Sequence, residues 1–281
     1  MRYFVTFLLS LMILAFIFLV QLTRFNDGKM HIVFCDVGQG DAIFIRTENK
    51  TDILIDGGPD NSILECLGDS LPFWDRELDA IFLTHPHADH LTGLTHVLER
   101  YQVKYYLSSG VSGNTEIYRK LVDLLAENKV SAKDLAAGDK ITLGEKTSLE
   151  VLWPKRDWLK DWYQSGSKDP NDTSLVLELS FGSFDILLTG DAEANILDLI
   201  TLPDIEVLKV PHQGSKGALL DENLNLLLPE LAIIMVGKNN YGHPSGEIIE
   251  LLESNSVKTL RTDLNGDVKI ETDGKNWSVK K

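Results

Sequence analysis

The stretch His85-Pro-His-Ala-Asp-His90 places three imidazoles and a carboxylate within six residues. Those donors suit zinc, and equally iron or manganese. The stretch follows the apolar, strand-like run Ala80-Ile-Phe-Leu-Thr84 and precedes Leu91-Thr-Gly-Leu94, where a helix can begin. A strand-to-helix loop leaves its side chains at the carboxyl edge of a sheet, where α/β folds usually place their sites. A polar loop capping a helix, with Asp89 as N-cap, would account for the aspartate alone. It does not account for three of the chain's seven histidines lying in one loop.

Other segments supply partners for such a site. Thr189-Gly-Asp191 follows the apolar run Phe184-Asp-Ile-Leu-Leu188. His212 stands in Lys209-Val-Pro-His-Gln-Gly-Ser215 and His243 in Asn239-Asn-Tyr-Gly-His-Pro-Ser245. Asp56 closes another buried-looking run in Ile53-Leu-Ile-Asp-Gly-Gly58. Alone, each reads as a turn or a surface histidine. Their common position at strand ends raises them together, because a closing sheet carries such ends to one edge.

The ordered motifs Asp36-Val-Gly-Gln-Gly-Asp-Ala42, Leu54-Ile-Asp-Gly-Gly58, Thr84-His-Pro-His-Ala-Asp-His90, Asn171-Asp-Thr-Ser-Leu-Val176, Leu188-Thr-Gly-Asp191, Leu208-Lys-Val-Pro-His-Gln-Gly-Ser215 and Asn240-Tyr-Gly-His-Pro-Ser245 carry a resemblance. They resemble the metallo-β-lactamase-fold hydrolases, and more closely the extracellular hydrolase domain of the competence DNA-uptake channel family, ComEC. The resemblance implies an α/β fold, a four-layer αββα sandwich with a two-metal site. His85 and His87 would hold one divalent ion, Asp89 and His90 the other. Asp191 would bridge them and His243 would complete the second position. Zinc or manganese would fill the pair, and the attacking group would be a hydroxide shared between them. Asp89 could orient that nucleophile or take its proton.

Two departures from the pattern bear on the metal. Many superfamily members have another histidine shortly before the bridging aspartate, where this chain reads Asn171-Asp-Thr-Ser174. An oxygen from Asn171 or Asp172, or a water, would take its place and favour manganese or magnesium over zinc. The subgroup commonly shows two adjacent histidines where this chain has His212-Gln213. His212 is then either a proton donor or phosphate contact, or a side chain that fixes the Gly214-Ser215 turn.

The elements that must position these residues alternate between strand-like and helix-like periods. Strands are expected at 30–35, 42–47, 52–56, 79–84, 103–107, 148–153, 173–180, 184–189, 205–210, 231–236, 258–262 and 266–271. Helices are expected at 61–70, 91–100, 114–128, 192–199, 217–227 and 245–255. Asn265-Gly266 reads as the turn of a hairpin between the last two strands. Hydrophobic content of 43% is ordinary for a globular domain. No linker-like tract interrupts residues 29–281, so one domain of about 250 residues is expected there.

Residues 1–28 form a separate segment. No charged residue lies between Tyr3 and Thr23, a span of roughly 30 Å as a helix, enough for a bilayer's hydrocarbon core. The run ends Val20-Gln-Leu-Thr-Arg-Phe25 without an Ala-x-Ala cleavage pattern, which favours an uncleaved single-pass transmembrane anchor over a signal peptide. Flanking charge gives only a slight orientation bias. The basic start and the subgroup's outward-facing hydrolase place the catalytic domain outside the cytoplasm. Cys35 and Cys66 fit either redox compartment, and their spacing does not establish a disulfide.

The formal net charge of −15 at pH 7 resists one reading. A tight, processive binder of duplex DNA presents a basic face, and no Lys/Arg run is present. Lys209, Lys216 and Lys238 lie near the motifs and could contact phosphate, but three lysines among so many acids read first as a solvated surface. Trp153, Trp158, Trp162 and Tyr163 bracket a mixed-charge stretch, continuing to Pro170, that is expected to pack on the core, with a flap over the site as the alternative. The expectation is therefore a membrane-tethered, metal-dependent phosphodiesterase or nuclease acting on single-stranded DNA. A lactonase, a β-lactamase and an envelope-polymer esterase are the alternatives within the enzyme class. A non-catalytic companion of a DNA-uptake channel is the alternative outside it.

Overall fold

Alternating apolar side chains build two β-sheets that face one another. The computed structural model describes residues 2–165 and 169–280. Along the chain the strands are β1 (Met30–Phe34), β2 (Ile43–Arg46), β3 (Asp52–Ile55), β4 (Glu77–Leu83), β5 (Gln102–Ser108), β6 (Ser131–Asp134), β7 (Lys140–Thr142), β8 (Thr147–Trp153), β9 (Val176–Phe181), β10 (Phe184–Leu188), β11 (Val207–Lys209), β12 (Leu231–Ile234), β13 (Lys258–Arg261), β14 (Val268–Thr272) and β15 (Trp277–Lys280). The helices are α1 (Arg2–Arg24), α2 (Ile63–Ser70), α3 (Ala88–Leu98), α4 (Glu116–Glu127), α5 (Arg156–Ser165), α6 (Ala194–Leu197), α7 (Asp221–Leu227), α8 (Gly246–Ser254) and α9 (Thr262–Asn265).

One sheet has the order β15-β14-β1-β2-β3-β4-β5-β6, the other β13-β12-β11-β10-β9-β8-β7. The period of two decides which layer each side chain joins. Ile32, Phe34, Ile53, Ile55, Phe82, Ile186 and Leu188 point between the sheets. Val33, Leu54 and Ile81 point the other way, under α2, α3 and α4, while Leu187 packs under α6, α7 and α8. The result is helix, sheet, sheet, helix: the expected four-layer α/β sandwich. In each sheet the site strands run parallel, β3 with β4 and β10 with β11 and β12. Their carboxyl ends therefore open on one edge.

The hairpin expected at Asn265-Gly266 is absent. β13 is an edge strand of the second sheet, whereas β14 pairs antiparallel with β1 in the first. The chain crosses between sheets through α9, where Thr262 Oγ1 accepts from Val236 N and donates to Val236 O. Val268 and Ile270 of β14 bury themselves in the inter-sheet core, and that long-range burial outweighs the local turn signal. The mixed-charge stretch forms a helix, α5, with Trp158 and Trp162 one turn apart. Trp158 lies 4.6 Å from Trp153 between ring centroids, and Trp153 and Trp162 are buried, so the three tryptophans pack inward as expected, whereas Tyr163 is exposed. Residues 166–168 of the same stretch lie outside the described residues.

A disulfide joins Cys35, just after β1, to Cys66 in α2. In α1, residues Arg2–Gln21 have a mean hydropathy of 2.7 and none of that stretch is buried against the protein, so this helix is long and apolar enough to cross a membrane.

Helix α3 is pinned to the β3 end by backbone contact. Gly57 N donates to His90 O at 2.7 Å and Gly93 N to Gly58 O at 3.0 Å. This approach needs Gly93, since a Cβ there would collide with the Gly57 carbonyl. Gly93→Ala should push α3 outward and cost about 1–3 kcal/mol, read as a lower urea midpoint. An unchanged midpoint would mean that the helix is not seated this way.

Candidate metal centre

The site forms where the ends of β3, β4, β10 and β11 meet. His85 ends the β4 segment and is buried; its Nδ1 lies 3.1 Å from Thr84 Oγ1 and 3.2 Å from Ser174 Oγ. Those contacts leave Nε2 facing the site, 3.0 Å from His87 Nδ1 and 3.8 Å from Asp191 Oδ2. His90, in the first turn of α3 and fully buried, sets its Nδ1 2.7 Å from Asp56 Oδ2. Its Nε2 is 3.3 Å from Asp191 Oδ2 and 3.9 Å from Asp89 Oδ2. Donors about 2.0–2.2 Å from a shared ion stand at such mutual separations. His85, His90 and Asp191 form one buried ligand group.

Asp56 is the anchor beneath them. Its φ of 58° puts a non-glycine residue in the left-handed region, a strain of about 1–3 kcal/mol of the kind that clusters at functional sites. Its carboxylate accepts from Thr84 N at 2.8 Å and Thr84 Oγ1 at 2.7 Å, besides facing His90. A carboxylate behind a histidine in this way fixes the ring and makes it a better ligand.

Asp191 is nearly fully buried. Burial alone would raise its carboxyl, but His90, His85 and Lys209 outweigh burial and hold it well below the usual carboxylate range. Conversely, burial opposes charge on His90, yet Asp191 and Asp56 push that imidazole well above the usual histidine range. Burial, reinforced by charge on His90, drives His85 well below it. The buried carboxylates thus draw positive charge onto His90, and a metal ligated there would displace that proton.

Lys209 is neither the solvated surface lysine nor the phosphate contact that the sequence suggests. It is fully buried, pairs with Asp41, and donates from Nζ to Gly190 O at 2.7 Å. No substrate phosphate can reach it. Burial pushes the Asp41 carboxyl up to about 6 against the pull of Lys209 and His90. Lys216 lies on the surface, paired with Glu247. Of the three lysines singled out, Lys238 lines the cleft.

His212 and Gln213 both take left-handed backbone, φ 44° and 49°. The His212 ring turns towards the site: Nδ1 is 2.7 Å from Glu193 Oε1 and Nε2 is 3.8 Å from Asp191 Oδ2. Ser215 also donates to Glu193. Burial opposes charge on His212, but Glu193 and Asp191 raise its imidazole above the usual value. Gln213 fills the place of a second histidine, pointing its amide at the Asp191 carboxylate 3.4 Å away and accepting from Gln39. His243 is held by Asn239, whose Oδ1 accepts from the backbone of Tyr241, Gly242 and His243. The His243 and His212 ring centroids are 5.3 Å apart.

The seven residues singled out by sequence therefore converge. His85 and His90 form the buried floor, while His87, Asp89, Asp191, His212 and His243 line the open cleft with Asn171 and Lys238. Sequence reasoning missed Glu193 and Gln213 and misassigned Lys209. A lysine inside the apolar run Val207-Leu-Lys-Val210 was the available signal for burial. Among the described residues, His90 Nε2, His243 Nδ1 and Asn171 Oδ1 are buried atoms without a hydrogen-bond partner. Unmatched nitrogen and oxygen atoms among the site residues fit a metal centre, since an unmatched buried polar atom costs about 1–3 kcal/mol. Asp172, the other residue considered in place of the missing histidine, bonds instead to Asn195 through its carboxylate and to Trp153 through its carbonyl.

Fold and donor set define a class, the metallo-β-lactamase domain: residues 35–116 match the family model described as Metallo-beta-lactamase superfamily. Within it, the chain is similar to ComE operon protein 3 of Bacillus subtilis (strain 168), 30% identical over 268 residues, covering 86% of this chain and 33% of that protein. It is also 28% identical over 244 residues to Recombination protein 2 of Haemophilus influenzae, covering 84% of this chain and 28% of the relative. The chain thus spans about a third of the length of these curated relatives. Among solved structures, the metallo-beta-lactamase fold protein YhfI from Bacillus subtilis superposes with a TM-score of 0.54 at 10% identity, covering 83% of this chain and 95% of YhfI. That likeness concerns the fold.

Because Asp56 orients His90, Asp56→Ala should weaken divalent-metal binding about 10–100-fold while Asp89, in the open cleft, stays in place. Calorimetric titration of the metal-stripped protein with manganese reads this directly; wild-type affinity in the variant would remove Asp56 from the site.

Proposed function

We propose that the chain is a membrane-tethered, metal-dependent phosphodiesterase that cleaves single-stranded DNA. The convergence of the His85, His90 and His212 Nε2 atoms on the Asp191 carboxylate, 3.3 to 3.8 Å away, carries this reading. Two divalent cations would be held by His85 and His87 on one side and by Asp89 and His90 on the other, with Asp191 between, His243 completing the second position and the Asn171 oxygen in place of the missing histidine. Bound there, they would polarise a phosphoryl oxygen and acidify water at neutral pH.

The chain's own residues supply the rest. Asp89 sits on the first turn of α3 at the cleft and is placed to orient the attacking water and take its proton. Glu193 engages Nδ1 of His212, which leaves Nε2 to donate a proton to the departing oxygen. Lys238 and the exposed ring of Tyr241 stand at the rim, where a phosphate and a nucleobase can be met. The negative net charge restricts contact to one or two phosphates at a time, which suits a short single-stranded substrate.

The relatives' names, ComE operon protein 3 and Recombination protein 2, support a link to DNA handling, and the resemblance to the competence uptake family supports a DNA-uptake channel as partner. Residues 1–28 would be the single-pass anchor and 29–281 the catalytic domain. The Cys35–Cys66 disulfide supports an extracytoplasmic position, because such bonds persist in oxidising compartments.

Asp89→Ala should lower hydrolysis of both a fluorescent single-stranded oligonucleotide and bis-p-nitrophenyl phosphate by about 10²–10⁴-fold with an unchanged circular-dichroism spectrum. Full activity with unchanged metal content would sink the assignment. Chelation should abolish turnover, and manganese should restore it better than zinc if Asn171 supplies an oxygen ligand. Bound metal without cleavage of either substrate would favour a lactone or other ester. Absence of both metal and cleavage would favour a non-catalytic companion.

A further inference from the structure

The loop between α2 and β4 carries two large apolar side chains that the fold leaves outside. Phe73 and Trp74 are 61% and 41% exposed. Their rings meet edge to face, with centroids 4.8 Å apart. Trp74 also lies 4.9 Å from Phe18, which belongs to the apolar stretch Arg2–Gln21 of α1. The domain therefore does not merely hang from the end of the helix. Phe18 precedes the end of α1 at Arg24 by six residues, or roughly 9 Å along the axis, and the loop reaches back to that level. A Trp-Phe pair beside a membrane-spanning helix, followed at once by Asp75 and Arg76, has the composition of an interfacial anchor. Arg76 is held back on the domain, its guanidinium bonded to Tyr101 Oη at 2.8 Å.

We propose that Phe73 and Trp74 insert into the interfacial layer of the bilayer beside α1, and that this second attachment turns the catalytic cleft away from the membrane. The orientation follows from the topology. β1 and β2, then β2 and β3, pair antiparallel, and β3 and β4 pair parallel, so β1 and β4 run the same way. α1 enters at the amino end of β1 and the Phe73-Trp74 loop enters at the amino end of β4, at one edge of the sheet. His85 lies beyond the carboxyl end of β4. Seven residues of strand separate the edges, about 23 Å at 3.3 Å per residue. Substrate would thus meet the site from the side facing away from the lipid. The exposed, apolar flank of α1 is continuous with the loop, and this shared surface identifies the occupant as lipid.

The inference rests on the reading of α1 as a transmembrane anchor, and the test separates the two. The full-length chain is reconstituted into nanodiscs of phosphatidylcholine with or without bromine on the acyl chains, which quenches nearby tryptophan. Wild type should lose emission in the brominated lipid, and Trp74→Phe should lose that quenching while keeping its secondary structure. Of the other four tryptophans, Trp153 and Trp162 are buried and Trp158 and Trp277 pack against the domain's hydrophobic core, so any quenching they give should be the same in wild type and Trp74→Phe. Protein that remains embedded but is quenched equally in wild type and Trp74→Phe would overturn the loop insertion alone. Protein released from the bilayer by alkaline carbonate would overturn the anchor, and the insertion with it.

Discussion

The Asp56 carboxylate is the interaction on which the site depends. One side chain at the end of β3 accepts hydrogen bonds from the backbone and hydroxyl of Thr84 at the end of β4 and faces the ring of His90 in α3. It therefore ties two strands and a helix into a single register, and it does so from a strained backbone. The strain is tolerated because three contacts over-determine the position. With Asp56 in place, His85 and His90 have no freedom to turn their Nε2 atoms away from Asp191.

Around this anchor the protein manages more buried charge than a structural core would hold. Asp41, Asp56 and Asp191 lie within the same buried region, a concentration of anions that is costly without compensation. Lys209 balances Asp41 and at the same time grips the Gly190 carbonyl next to Asp191. One fixed cation thus offsets the anion that faces inward. Asp191 is left to face the histidines, where a bound cation would complete the balance.

The scaffold is shared by proteins of differing activity, so the fold states where chemistry can occur rather than which reaction takes place. Two amides stand among the imidazoles and carboxylates of this cleft. Gln213 stands where relatives of the subgroup commonly have a second histidine, and Asn171 lies in the segment where many superfamily members have one. Both amides line the cleft, but Gln213 turns its nitrogen to Asp191 and its oxygen to Gln39, while the Asn171 oxygen has no hydrogen-bond partner.

Much of this was legible in the chain because the chemistry is carried by local strings. The spacing His85, His87, Asp89, His90 already required a strand that ends in a helix, and the period-two runs from Ile32 to Ile186 already required two buried sheet faces. The apolar run after Tyr3 declared a helix fit to cross a membrane. Tertiary structure decided what depends on partners distant in sequence. Asn265-Gly266 looked like a hairpin until the burial of Val268 and Ile270 beside β1 carried the next strand into the other sheet. Lys209 looked like a surface lysine or a phosphate contact until Asp41, remote in sequence, drew it inside. Cys35 met Cys66 only because α2 packs across the outer face of β1. Hydrophobic period and ligand spacing are properties of neighbouring residues, whereas the pairing of buried charges, thiols and strand edges is fixed by which distant surfaces the core brings into contact.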